Sequence, residues 1–170
     1  KEWRGVNELL DDPRWAGYDV PPTSNANYGW ILNMVSKLSQ NGVAGFILAN
    51  RALSGGGEEY KIRKKLIEND LVEAIIILPQ NMFYTTNISV TIWILNANKK
   101  QREFEQNGKI KIHRDRTNEI FFMDLRQKGV PFEKKFIQFD DETINEISSS
   151  YHIWQSDKEA YEDIAEYCRS

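Results

Sequence analysis

Three apolar runs with unequal connections constrain this chain most. Val43 to Ala49 is one run, Leu71 to Leu78 the second, and Ile88 to Leu95 the third. An apolar run without alternation marks a strand covered on both faces, as in a parallel sheet. Between the first two runs lie a glycine-containing loop, residues 50–57, and a helical pattern over 58–69 that turns Ile62, Leu66 and Ile67 inward. Strand, helix, strand is a βαβ unit, so the first two strands should run parallel with a right-handed crossover. The third run follows after only Pro79 to Asn87. A parallel crossover needs roughly a dozen residues or more, so this strand should turn back antiparallel. The expected fold class is α/β, with a sheet ending in an antiparallel hairpin.

The flanks are less regular. Residues 1–24 carry turn signals (Asp11-Asp12-Pro13, then Val20-Pro21-Pro22-Thr23-Ser24) yet also Trp3, Trp15 and Tyr18. They read as an ordered segment packed on something, because disordered tails are poorer in aromatics. A helix is expected over about 25–41: Ile31, Met34, Val35 and Leu38 recur at helical spacing, and Trp30 widens the stripe. Ser24 is its candidate N-cap, and Asn41-Gly42 its stop, with Gly42 left-handed. Residues 99–118 read as a polar loop with a short strand at Lys109 to His113. Glu119 to Asp124 is a further strand. Helices are expected over 140–152, capped by Asp140 or Asp141, and over 156–168, where Ser156 and Glu159 form a capping box.

Charge and cysteine content narrow the function classes. The net charge of −3 does not itself announce nucleic-acid binding. Residues 99–116, however, hold seven Lys or Arg against three Asp or Glu. Such a stretch either touches phosphate or is a solvated charged loop. The lone Cys168 has no partner for a disulfide within the chain, which suits a reducing, cytoplasmic setting. Two histidines, His113 and His152, without a Cys cluster speak against a zinc site. Gly55-Gly56-Gly57 lacks the Gly-Lys-Ser/Thr ending of a P-loop.

The order of motifs carries a resemblance. It runs from Asp11-Asp12-Pro13-Arg14-Trp15 through Pro21-Pro22 to Asn25-Ala26-Asn27-Tyr28-Gly29-Trp30-Ile31. It continues with Asn41-Gly42 before a buried strand and Gly55-Gly56-Gly57 before a basic helix with Ile62-Arg63. Then comes Leu66-Ile67-Glu68-Asn69-Asp70-Leu71-Val72-Glu73-Ala74-Ile75-Ile76-Ile77-Leu78-Pro79, leading into Asn81-Met82-Phe83-Tyr84 and, later, Ile120 to Asp124 with Leu125-Arg126. Together these resemble the modification subunit of type I restriction-modification systems, a family of adenine-N6 DNA methyltransferases. The likeness is strong over 1–126 and looser over 127–154.

The resemblance implies the C-terminal half of a Rossmann-like methyltransferase sheet over 1–126, followed by a helical C-terminal segment over 127–170. It implies S-adenosyl-L-methionine as cofactor of the full-length protein. DNA and the specificity and restriction subunits of the type I complex are the implied partners. The family's glycine-rich cofactor loop and its Asn/Asp-Pro-Pro-aromatic tetrapeptide are absent here, since Pro21-Pro22 is flanked by Val20 and Thr23. By family order the tetrapeptide lies upstream of Lys1. The chain then starts at a cut or processing site, holds no catalytic residue, and transfers no methyl group alone. In the family's chemistry the target adenine is swung out of the duplex. Asn25, Asn27, Phe83 and Tyr84 are the candidate wall of its pocket. For Asn25 and Asn27 the alternative is helix-start chemistry; for Phe83 it is core packing. Arg51, Gly55, Gly56 and Gly57 either face DNA or form a connector. The competing readings are a catalytically inert α/β protein-interaction module and an unrelated nucleotide-binding α/β domain.

Overall fold

The computed structural model describes residues 2–156 and 168–169. Its main sheet has five strands: β1 (Val43–Ala49), β2 (Val72–Ile77), β3 (Val90–Asn96), β6 (Phe121–Asp124) and β9 (Cys168–Arg169). Their order is β1-β3-β2-β6-β9. β3 inserts between β1 and β2 and runs antiparallel to both, so β1 and β2 share a direction without touching. β6 pairs parallel with β2, and β9 antiparallel with β6. The short 79–87 connection therefore does what its length requires, and the helical 50–71 connection carries the chain past the inserted strand.

Helices cover both faces. α1 (Asn27–Val35) and α2 (Gly57–Glu68) pack Tyr28, Ile31, Leu32, Ile62 and Leu66 against Val72, Ile75, Trp93 and Leu95. α3 (Asp141–Ser156) sets Trp154 against Phe121, Met123 and Ala74 on the opposite face. The Phe121 and Trp154 rings stack at 5.1 Å. A register shift between Val72 and Ala74 lets Val72 and Ile75 face one layer, with Ala74 and Ile76 facing the other. Such a bulge adds one residue to the strand, here Glu73.

The N-terminal segment packs as its aromatics suggest. Trp15 is buried and its indole donates to the Leu9 carbonyl at 2.8 Å. Trp3 donates to the Pro22 carbonyl at 2.6 Å and lies so close to Gly29 that a Cβ there would meet its ring at 2.9 Å.

Several expectations need correction. α1 is shorter than 25–41: Ser24 is exposed and does not cap it, and the Asn25 Oδ1 instead accepts from the Asn27 N–H at 3.0 Å. The helix ends where the Ser36 hydroxyl bonds back to the Asn33 carbonyl. Trp30 is 65% exposed, off the apolar stripe, and Ile67 is half exposed. Gly42 does not take a left-handed conformation; a Cβ there would meet the Ser39 backbone nitrogen at 2.8 Å. β1 is an edge strand exposed on one face, at Val43 and Ile47. The polar 99–118 stretch is a hairpin, with β4 (Arg102–Gln106) paired to β5 (Lys109–His113). A second hairpin, β7 (Val130–Phe132) with β8 (Phe136–Gln138), follows β6. Asp140 does cap α3, accepting from the Thr143 N–H at 2.8 Å. The expected second helix, 156–168, falls mostly on 157–167, outside the described residues. Its two ends are not its own: Ser156 closes α3, donating to the His152 carbonyl, and Cys168 lies in β9.

Candidate functional site at the carboxyl ends of the strands

β1, β2 and β6 share a direction, so their carboxyl ends lie along one edge of the sheet. In open α/β sheets ligands bind in crevices at that edge. Three loops meet it: 50–56, 79–89 and 125–129. Side chains tie them to the strands. The Thr91 hydroxyl at the start of β3 donates to Asn50 Oδ1 at 2.5 Å, and the Ser89 hydroxyl donates to the Leu78 carbonyl at 2.5 Å. A cleft of about 470 Å³ opens beyond β2 and β6, lined by Gln80, Asn81, Ser89, Arg126, Gln127 and Lys128 among others. Arg126 grips Asp124 with Nη2 at 2.5 Å and Nε at 2.9 Å. That hydrogen bonding holds the Asp124 carboxyl below its ordinary range.

The 79–89 loop leans on the second hairpin. The Ile137 N–H donates to the Asn81 carbonyl at 3.1 Å. Asn81 sits at φ +63°, a left-handed position that asparagine tolerates. Tyr84 is 71% exposed, and its ring meets the edge of Phe136 at 4.7 Å. The Lys135 ammonium lies 5.1 Å from the same Phe136 ring. Phe83, by contrast, is partly buried against the core under α3. An exposed tyrosine backed by a half-buried phenylalanine, with a lysine beside it, can stack a nucleobase and attract a phosphate.

The other candidate residues lie around α1 and α2. Asn25 donates to Glu59 Oε1 at 2.7 Å as well as accepting from Asn27, so its side chain joins the starts of the two helices. The 50–57 loop is pinned rather than loose. The Arg63 guanidinium donates to the Gly55 carbonyl at 2.9 Å, the Ala52 carbonyl at 3.2 Å and the Tyr28 hydroxyl at 3.1 Å. Tyr28 in turn donates to the Ala52 carbonyl at 2.6 Å. Gly57 needs its glycine, at φ +58°. Arg51 and Gly56 are exposed. The structure thus groups Asn25 with the glycine loop through Glu59, and Tyr84 with Phe136. Tyr28, Arg63 and Phe136 were not singled out in the sequence; each does its work through a partner distant along the chain.

Much of the basic 99–116 stretch is spent internally. Lys99 is buried, donating to the Val72 and Glu119 carbonyls and pairing with Asp70. Arg114 pairs with Glu119 at 2.7 Å. Arg116 is fully buried against Glu73, with Nε 3.2 Å from Oε1. Asn96 and Gln155 complete the cage around that carboxylate, Gln155 Nε2 at 3.0 Å. The signal for this network was a lone carboxylate, Glu73, inside an apolar strand.

The cleft beyond β2 and β6 does not by itself fit S-adenosylmethionine. A sulfonium is a cation and ribose hydroxyls favour a carboxylate, whereas the cleft presents Arg126, Lys128 and neutral amides. Among the described residues no metal-ligating cluster occurs, and no helix is long and apolar enough to cross a membrane.

A mixed sheet with β3 inserted antiparallel beside parallel strands and helices on both faces defines a Rossmann-like methyltransferase architecture. The family N-6 DNA Methylase is matched over residues 1–170, and the chain belongs to that family. It is 39% identical over its whole length to the type I restriction enzyme HindI methylase subunit of Haemophilus influenzae, covering 34% of that protein. It is 41% identical over 91% of its length to the MjaIX methylase subunit of Methanocaldococcus jannaschii, covering 26% of it. A solved type I methyltransferase subunit from Streptococcus thermophilus superposes with a TM-score of 0.75 at 27% identity, over 98% of this chain and 31% of that one. The chain therefore spans between a quarter and a third of the length of the curated relatives it matches.

Proposed function

We propose that this chain is part of a site-specific DNA adenine-N6 methyltransferase of a type I restriction-modification system. The observation that carries the reading is the family match over all 170 residues. The 79–89 loop at the carboxyl edge of the sheet, with Tyr84 exposed against Phe136, supports it. In this reading residues 1–126 belong to the catalytic domain and 127–170 form a C-terminal segment that opens with the second hairpin. Tyr84 stacks on an adenine swung out of the duplex, and Phe83 backs it from the core. Asn25 and Asn27 hold the start of α1 beside the pocket, with Asn25 acting through its bonds to Glu59 and Asn27. Arg51 and Gly55 to Gly57 face the DNA backbone, where exposed Gly56 permits close approach. The methyl donor is S-adenosylmethionine, held by parts of the full-length protein outside this chain. The specificity and restriction subunits are its partners, in the cytoplasm.

The cofactor's activated methyl leaves the protein mainly a positioning task, and a wall without a donor site performs none of it. The chain alone is expected to give no transfer when incubated with labelled S-adenosylmethionine and adenine-containing DNA. Protein-dependent incorporation above background would show that the donor site lies within these residues, and the division of labour proposed here would fall.

A further inference from the structure

A second concavity lies on the α3 face, away from the carboxyl edge. It has a volume of about 400 Å³ and is walled by Arg102, Phe104 and His113 of the first hairpin and Tyr151, His152 and Gln155 of α3. Val43 and Ile94 form its apolar floor, and among the described residues no carboxylate lines it. Arg102 and His113 are cross-strand partners, both directed into this space. The Phe104 ring meets the His113 ring at 4.6 Å and lies under the Arg102 guanidinium at 5.7 Å.

Arg102 Nε and His113 Nδ1 are both shielded from solvent and have no hydrogen-bond partner. Leaving one buried polar group unsatisfied costs about 1–3 kcal/mol, more when it is charged. The Arg102 Nε–H calls for an acceptor that the neighbouring described side chains do not supply, and His113 Nδ1 lacks a partner whichever tautomer the ring takes. A guanidinium fork matches phosphate oxygens. The aromatic and apolar walls leave room for a compact ring beside the anion.

We propose that this pocket binds a phosphate monoester carried on a small ring-bearing molecule, with Arg102 and His113 donating to the phosphate oxygens. Among the described residues the titratable groups that act on His113 are Arg102 on β4, Arg116 after β5, Glu73 on β2 and His152 on α3. Burial, Arg116 and Arg102 hold His113 at about 4, so it is neutral near pH 6. A bound phosphate adds negative charge beside it and draws a proton onto the ring.

The test is calorimetric titration of the 170-residue chain with adenosine monophosphate, with inorganic phosphate and with a short duplex. It is run at pH 6 in two buffers of different ionisation heat. Saturable binding of the monophosphate is expected, with a proton exchange that His113→Gln alters. Arg102→Met should weaken binding about tenfold or more, and Arg102→Lys should restore part of it. Lys109→Gln, outside the pocket lining, should leave binding unchanged, and circular dichroism identifies any variant that fails to fold. Absence of monophosphate binding by the folded chain would overturn the proposal. So would binding insensitive to Arg102→Met, which marks general ionic attraction. A response confined to the duplex would instead make this a DNA-backbone contact and overturn the small-molecule assignment.

Discussion

Replacing Arg116 with methionine is expected to lower the unfolding free energy by about 3–5 kcal/mol, because it leaves a buried carboxylate without its counter-charge. Glu73 and Arg116 both have fully buried side chains. Asn96 and Gln155 would still donate to Glu73, but neutral amides do not replace a guanidinium. Arg116 also donates to the Arg114 carbonyl at 2.8 Å and lies 5.6 Å from the Trp154 ring, so its loss loosens α3 as well. In a chain of this size each kcal/mol moves the melting temperature by roughly 2–4 °C, so a fall on the order of 10 °C should be seen. Adding Glu73→Gln should recover much of the loss, since the double variant no longer buries an unpaired charge. The measurement is a double-mutant cycle by urea unfolding. A cost below about 1 kcal/mol for Arg116→Met, the range of exposed ion pairs, would mean that the pair does not organise this end of the sheet.

The second large effect concerns association. Among the described residues β1 pairs only with β3, so its outer edge offers unpaired backbone groups. Val43 and Ile47 are 54% and 50% exposed on the face that α3 only partly covers, Ile47 opposite Ile92 and Val43 opposite Asn96 of β3. A long apolar edge strand is a template for pairing with another chain. The purified chain should therefore sediment as oligomers, and Ile47→Lys should shift it toward monomer, since an edge lysine opposes such pairing. The longer protein, if it covers this edge, should not need the lysine. A stable monomer of the unaltered chain would favour the self-sufficient interaction module over the enzyme part.

The connectivity of the sheet was legible because chain length limits it: Pro79 to Asn87 is too short to cross over, so β3 had to turn back. The exposure of β1 was not legible. An apolar run does not reveal which of its faces another layer covers, and α3 leaves Val43 and Ile47 about half exposed. The strand Arg102–Gln106 alternates charge with a single aromatic, so no apolar periodicity marks it. Asn25 kept both its readings in sequence, and its observed bonds are those of helix-start chemistry. Tyr84 stood out as an aromatic in a loop, but its partner Phe136 comes from a hairpin that short, polar β7 and β8 did not announce. The Glu73 cage draws on Arg116 and Gln155, 43 and 82 residues away, which local patterning does not reach.

The most direct measurement of the central claim is the methylated base formed by the full-length protein that carries this chain, assembled with its specificity subunit. DNA exposed to that complex and S-adenosylmethionine is digested to nucleosides and analysed by mass spectrometry. N6-methyladenine should accumulate, and Tyr84→Ala should reduce its rate by roughly 5–150-fold, the loss of one stacking contact of about 1–3 kcal/mol. Formation of a different methylated base, or of N6-methyladenine at an unchanged rate in Tyr84→Ala, would contradict the account.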